Sequence, residues 1–196
     1  VETGVTERLV QILVNNGVPR FGGGGGGERG AVSPPRDVYR DRPVAAVVQG
    51  AVTLCGQICS SADPLFTQAL LDAGVLVAAS SLVALRDKPL VRKDILWLLS
   101  NVASGTYNQV TALLQEKQLL ADVFVCLRRG EDFAIRREAL YVILNILRST
   151  HEHVFALQRD HGDEVERGLC SFLTGGQGGD EGSINDSLDG IEILLK

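Results

Sequence analysis

Residues 91–105, VRKDILWLLSNVASG, return in pattern 44 residues later as IRREALYVILNILRS, and this internal period restricts the fold more than composition does. Asp94, Trp97 and Asn101 become Glu138, Tyr141 and Asn145. The same step backwards reaches QGAVTLCGQICSS, where Gly50, Thr53 and Gln57 hold those three places. Forwards the step widens to 48 across TGGQGGDEGS, and SINDSLDGIEILLK sets Asp186, Asp189 and Ile193 there.

At 100° per residue, Val91, Ile95, Leu98, Leu99 and Val102 fall on one helical face, while Asp94, Trp97 and Asn101 form a stripe beside it. One copy earlier, Val47, Ala51, Leu54, Cys55 and Ile58 take the core face. Between the long helices lie two shorter apolar segments, such as PLFTQALLDAG and VLVAASSLVALRD, with Gly74 at the turn between them. Gly105 and Gly130 read as C-terminal stops, Asp132 as an N-cap and Pro89 as a first-turn residue. A unit of ~42–44 residues with one short and two longer helices, none able to bury its apolar face alone, is the armadillo signature. The expected fold is therefore all-α, a right-handed armadillo-repeat α-solenoid of about four three-helix units, the first and last incomplete. One domain covers 1–196, with a flexible Gly/Pro-rich insertion at about 17–43 and a Gly-rich loop at about 174–183.

Other chemistries find little support. The formal charge of −5 argues against a nucleic-acid surface and favours cationic partners. The four cysteines (Cys55, Cys59, Cys126, Cys170) lie in apolar helical patterns without CxxC pairs and read as small core residues. His151, Glu152 and His153, with distant His161, fit a solvated helix start better than a metal set. Six consecutive glycines, Gly22 to Gly27, lack the GK[ST] and preceding strand of a phosphate loop, and Ser33-Pro34 reads as ordinary linker. No stretch reaches the ~18 uninterrupted apolar residues of a membrane span. The expectation is a binding protein, not an enzyme, with no cofactor, no metal, no nucleic acid and no membrane partner.

In an armadillo stack the third helices line a concave groove, so stripe residues of successive units lie side by side at about 10 Å. An Asn amide offers donor and acceptor together, which suits Asn101 and Asn145 to hold a peptide backbone. Trp97 and Tyr141, one turn earlier, suit the walls of slots for aliphatic stems, and Asp94 and Glu138 suit the charged heads. The stripe thus asks for an extended Lys/Arg-rich segment. An Asn one turn after an aromatic also suits a bridge between neighbouring helices, which leaves a second reading: an interaction scaffold with a degenerate groove, taking a folded partner or itself.

The residues RKDILWLLSNVASG and RREALYVILN resemble the tryptophan-asparagine third helices of importin-α, the nuclear import adaptor. VETGVTERLVQIL, TLCGQICSS and LDGIEILLK resemble, in order, a unit start, the unit lacking the groove Trp and a later helix of the same family. The resemblance implies the C-terminal half of the array, with its minor nuclear-localisation-signal site. It places Trp97, Asn101, Tyr141, Asn145 and Glu138 along that site, Asp94 beside it and Thr67 near its edge. Thr53 and Gln57 stand where the family has Arg and Asn, Tyr141 where it has Trp, and Ile193 where it has Asn. The implied partners are cargo proteins with basic signals, importin-β only through a segment this chain does not contain, and the implied location is cytoplasm and nucleus. No basic segment, major-site units or final unit are expected in the chain, as in a fragment or a shortened paralogue.

Because loop entropy grows slowly with length, cutting the insertion at about 17–43 to a short linker is expected to shift the thermal midpoint by only a few degrees. A thermal melt of the deletion variant checks this, and a large drop would show that the insertion holds the fold.

Overall fold

In the computed structural model, which describes residues 3–17, 42–173 and 180–195, every regular element is a helix. In order these are α1 (Thr3–Gly17), α2 (Arg42–Cys59), α3 (Pro64–Asp72), α4 (Val75–Val83), α5 (Pro89–Ala103), α6 (Tyr107–Gln115), α7 (Lys117–Cys126), α8 (Phe133–Leu147), α9 (His151–Leu173) and α10 (Glu181–Leu194). The insertion at about 17–43 lies, after Gly17 and up to 41, outside the described residues. The loop expected at 174–183 is shorter at its far end, because Asp180 caps α10 by accepting from Ser183 N at 2.7 Å.

Local chemistry sets the boundaries. Asp63 accepts from Leu65 N and Asp132 from Ala134 N, at 2.9 and 2.8 Å, each satisfying a first-turn amide. Pro64 and Pro89 occupy first-turn positions where a missing N–H costs nothing. Gly74 (φ 87°) and Gly130 (φ 103°) make left-handed turns that a Cβ disfavours. Gly105 ends α5 differently from the expectation. It has no positive φ, and its missing Cβ makes room for the Gln109 side chain, which accepts from Thr106 N at 3.0 Å and donates to Pro64 O at 2.8 Å.

The helices form three rows. Third helices α2, α5, α8 and α10 pack in sequence, α1, α4, α7 and the second half of α9 make another row, and α3, α6 and the start of α9 the remaining one. The last unit fuses its first two helices into α9, which kinks at His161 (φ −144°, ψ 23°) instead of turning at a glycine. Leu96, Leu98, Leu99, Leu140, Ile143 and Leu144 are fully buried, each contributing about 2–3 kcal/mol by leaving water.

Four expectations about burial change. Val47 and Leu54 are 53% and 49% exposed, although their counterparts Val91 and Leu98 are buried. That side of α5 faces α2, whereas among the described residues no third helix precedes α2 in the row. Cys170 is exposed on α9, unlike the other three cysteines. His153 is buried rather than solvated: its ring contacts Thr111 Oγ1 at 2.9 Å and Ser149 Oγ at 3.2 Å and stacks on Tyr107 at 4.5 Å. Among the described residues no group of His, Cys, Asp and Glu is arranged to hold a metal, and no single helix is long and apolar enough to cross a membrane.

Sequence reasoning passed over Arg92 and Arg136, which the same 44-residue step relates. Both are buried. Arg92 Nε donates to Val83 O at 2.9 Å, its two Nη atoms reach the Glu131 carboxylate at 2.8 and 3.2 Å, and Nη2 meets Cys126 Sγ at 3.2 Å. Arg136 Nε donates to Leu127 O at 3.3 Å, and its guanidinium lies over the Phe172 ring at 4.5 Å. Each arginine ties the end of one second helix to its own third helix and to the following unit. The Arg92 guanidinium holds the Glu131 carboxyl below the usual carboxylate range. A lowered folded-state value contributes stability above the ordinary Glu value of about 4.3, lost as pH falls through the lowered one. Arg92→Ala is expected to cost about 3–5 kcal/mol by stranding a partly buried carboxylate, and Glu131→Gln to flatten the acid limb of stability below about pH 4. Denaturant melts across pH measure both.

Candidate functional site

The third-helix row brings the stripe residues of α2, α5 and α8 into one ladder and shows what holds each. On α5, Asp94 Oδ2 accepts from Thr53 Oγ1 at 2.9 Å and from Gln49 Nε2, both on α2, while Lys93 Nζ lies 3.2 Å from its other oxygen. Trp97 is half-buried and lies over Gly56 of α2, where an added Cβ would come within 2.6 Å of ring atom Cε3. Asn101 Nδ2 donates to Gly56 O at 3.3 Å, a carbonyl that already accepts from Ser60 N at 3.0 Å. One unit on, Asn145 Nδ2 donates to Ser100 O at 2.9 Å, which likewise accepts from Ser104 N at 3.1 Å. Both asparagines therefore bridge neighbouring third helices through a carbonyl's second lone pair.

The acidic members differ between units. Glu138 on α8 lies 3.7 Å from Arg137, with Lys93 and Asp94 near enough to act on its charge, and burial pushes its carboxyl above the usual range. Tyr141 is half-buried, and burial together with nearby Asp186 raises its hydroxyl. Arg148, just after α8, holds Asp186 at 2.9 Å and Asp189 at 3.6 Å, so these two acids of α10 are already paired with a cation. Ile193 is packed against the core.

The remaining members separate. Gln57 is exposed on α2, and Thr53 is engaged as above and with Gln49 O at 2.9 Å. Thr67, expected near the edge of the site, is 4% exposed and donates to Cys59 O at 3.4 Å. It faces the interior because its helix, α3, packs against α2 there. Lys93 and Arg137, again 44 residues apart, stand over Asp94 and Glu138 and were not foreseen as part of the ladder. Their signal was visible as the basic residue before each stripe acid.

Comparison with protein-family sequence models finds no match, and comparison with curated proteins finds none either. Solved structures do match. A designed armadillo repeat protein in complex with the peptide (KR)4 superposes with a TM-score of 0.71 at 20% identity, covering 98% of this chain and 65% of that one. Computationally designed armadillo repeat proteins for modular peptide recognition give 0.70 at 18% identity, and a further designed armadillo repeat protein 0.67 at 20%, each with 97% of this chain and 65% of the other covered. The chain thus spans about two thirds of the length of these proteins. At such identities the likeness is one of fold.

Gly56→Ala is expected to force the indole of Trp97 from its seat, costing about 1–3 kcal/mol and shifting the emission of the only tryptophan. Asn101→Ala is expected to cost about 1 kcal/mol through the lost inter-helix bond. Thermal melts followed by fluorescence and circular dichroism test both. The armadillo-repeat α-solenoid is the fold of this chain.

Proposed function

We propose that the third-helix ladder is a peptide groove that takes an extended Lys/Arg-rich segment. The observation that carries this reading is the repeat of acid, aromatic and asparagine at one 44-residue step, on helices that pack side by side with the aromatics left half-buried. Glu138 supports it further, since burial raises its carboxyl in spite of Arg137 at 3.7 Å and nearby Lys93, a cost that an arriving cation relieves. A solved armadillo relative in fold carries the peptide (KR)4, whose chemistry is the one this stripe asks for. By the importin-α resemblance, the peptide is a nuclear localisation signal of a cargo protein and the protein works between cytoplasm and nucleus.

A different reading draws on the last unit: Asp186 and Asp189 share Arg148, so the groove there keeps less of a free acid than two unpaired carboxylates would give. An interaction scaffold that binds a folded partner or itself would have no need of one.

Titrating Trp97 fluorescence with a Lys/Arg-rich octapeptide is expected to give a saturable change that weakens with added salt, while an uncharged peptide gives none. Glu138→Gln is expected to weaken binding three- to tenfold, about 1 kcal/mol, without moving the thermal midpoint downward. If neither fluorescence nor calorimetry registers the basic peptide, the groove reading fails and the scaffold reading replaces it.

A further inference from the structure

A cavity of about 310 Å³ opens in the second-helix row, between the end of α7 and the second half of α9, away from the ladder. Its charge is opposite to that of the chain. Arg128, Arg129 and Arg167 line it with Glu164 as the one acid, in a protein of formal charge −5. Neither Arg128 nor Arg167 has a carboxylate within ion-pair distance among the described residues, and the Arg167 Nε donates only to Asp163 O of its own helix at 2.9 Å. Phe124 and Leu127 supply an apolar wall. Behind it, buried Arg136 donates through Nη2 to Ser171 O at 3.4 Å and Ser171 Oγ at 3.3 Å, so a fourth guanidinium adds positive potential from within.

Exposed arginines usually acquire acidic neighbours on an acidic protein; here Arg128, just after α7, and Arg167 on α9 meet around one concavity without a carboxylate partner among the described residues. Guanidinium groups hold carboxylates through paired, charge-assisted hydrogen bonds, and the buried Phe124 and Leu127 leave a narrow apolar edge that one small side chain can touch. Glu164 at the rim disfavours a compact dianion more than a chain whose carboxylates are spread along it. We infer that this cavity docks an acidic linear peptide of a partner protein, an Asp/Glu-rich segment with one apolar anchor. The protein would then hold segments of opposite charge on two different rows of its helices. The inference stands on different residues from the groove reading, and either can fail alone.

The test uses a fluorescein-labelled acidic peptide, Asp/Glu-rich with one central Leu, read by anisotropy on the full chain. Saturable binding is expected, with a tenfold or greater loss in the double variant Arg128→Gln, Arg167→Gln. A control double variant removing equal charge elsewhere, Arg8→Gln with Lys117→Gln, should lose less than twofold, and circular dichroism melts confirm that both remain folded. Unlabelled Lys/Arg-rich peptide should not displace the probe. Equal losses in both double variants would reduce the effect to net charge and overturn the site. Binding that is indifferent to Leu→Ser in the peptide and abolished by millimolar inorganic phosphate would show a simple anion site in place of a peptide dock, and also overturns the proposal.

Discussion

Consecutive third helices in this solenoid approach so closely that one side of each contact must be small. Trp97 lies on Gly56, where no side chain fits beneath it, and Ser100 holds the equivalent place on α5. At the next step the order reverses: Leu144 stands on α8, and Gly190 of α10 leaves room for it, since a Cβ there would come within 2.8 Å of Leu144 Cδ2. The row is thus closed by one bulky and one minimal partner at these contacts, the arrangement that close-packed helices require. A unit of ~42–44 residues cannot cover its own third helix, so this contact decides whether the repeats stack at all.

The buried arginines do for the rear of each unit what the asparagines do for the ladder. Arg92 and Arg136 both satisfy a carbonyl at the end of the second helix, Val83 O and Leu127 O, where a helix terminus would otherwise leave an acceptor without a partner. Their outer atoms diverge. Arg92 meets a carboxylate, Glu131, and among the described residues Arg136 meets neutral oxygens and the face of Phe172. Desolvation accordingly lowers the pKa of Arg136, while the carboxylate raises that of Arg92. A second consequence follows for the cavity beside Ser171: among the described residues no carboxylate makes an ion pair with the positive charge behind its wall, so that wall stays electropositive toward solvent.

The repeat was legible because period, turn glycines and caps are local signals, each with its own mechanism. Gly74, Asp132 and Pro89 do in the structure what their types suggested, whereas Gly130, expected to stop a helix, makes a left-handed turn beyond α7, which already ends at Cys126. What escaped was pairwise. Helical periodicity assigns Leu54 to the core as readily as Leu98, because it registers the face and not whether another helix covers it. Arg92 and Arg136 look like surface charges in a one-dimensional reading, since nothing local tells that Val83 O, Leu127 O and Glu131 converge on them. His153 was hidden for the same reason, its partners Thr111 and Tyr107 lying on another helix.

In the proposed groove a structural and a binding duty would share the asparagine side chains. Asn101 and Asn145 each commit Nδ2 to a neighbouring helix, which fixes the amide plane, and no hydrogen bond reaches either Oδ1 from the described residues. A serine in that place has a single proton to give and a shorter reach, and a glutamine carries an added rotatable bond that loosens the plane. Asparagine alone among the neutral side chains of this length keeps an oriented acceptor after bridging. The bridge between helices is therefore compatible with the groove reading: an amide already immobilised by α2 or α5 loses little further entropy on accepting a peptide N–H, which is the preorganisation that an extended ligand requires.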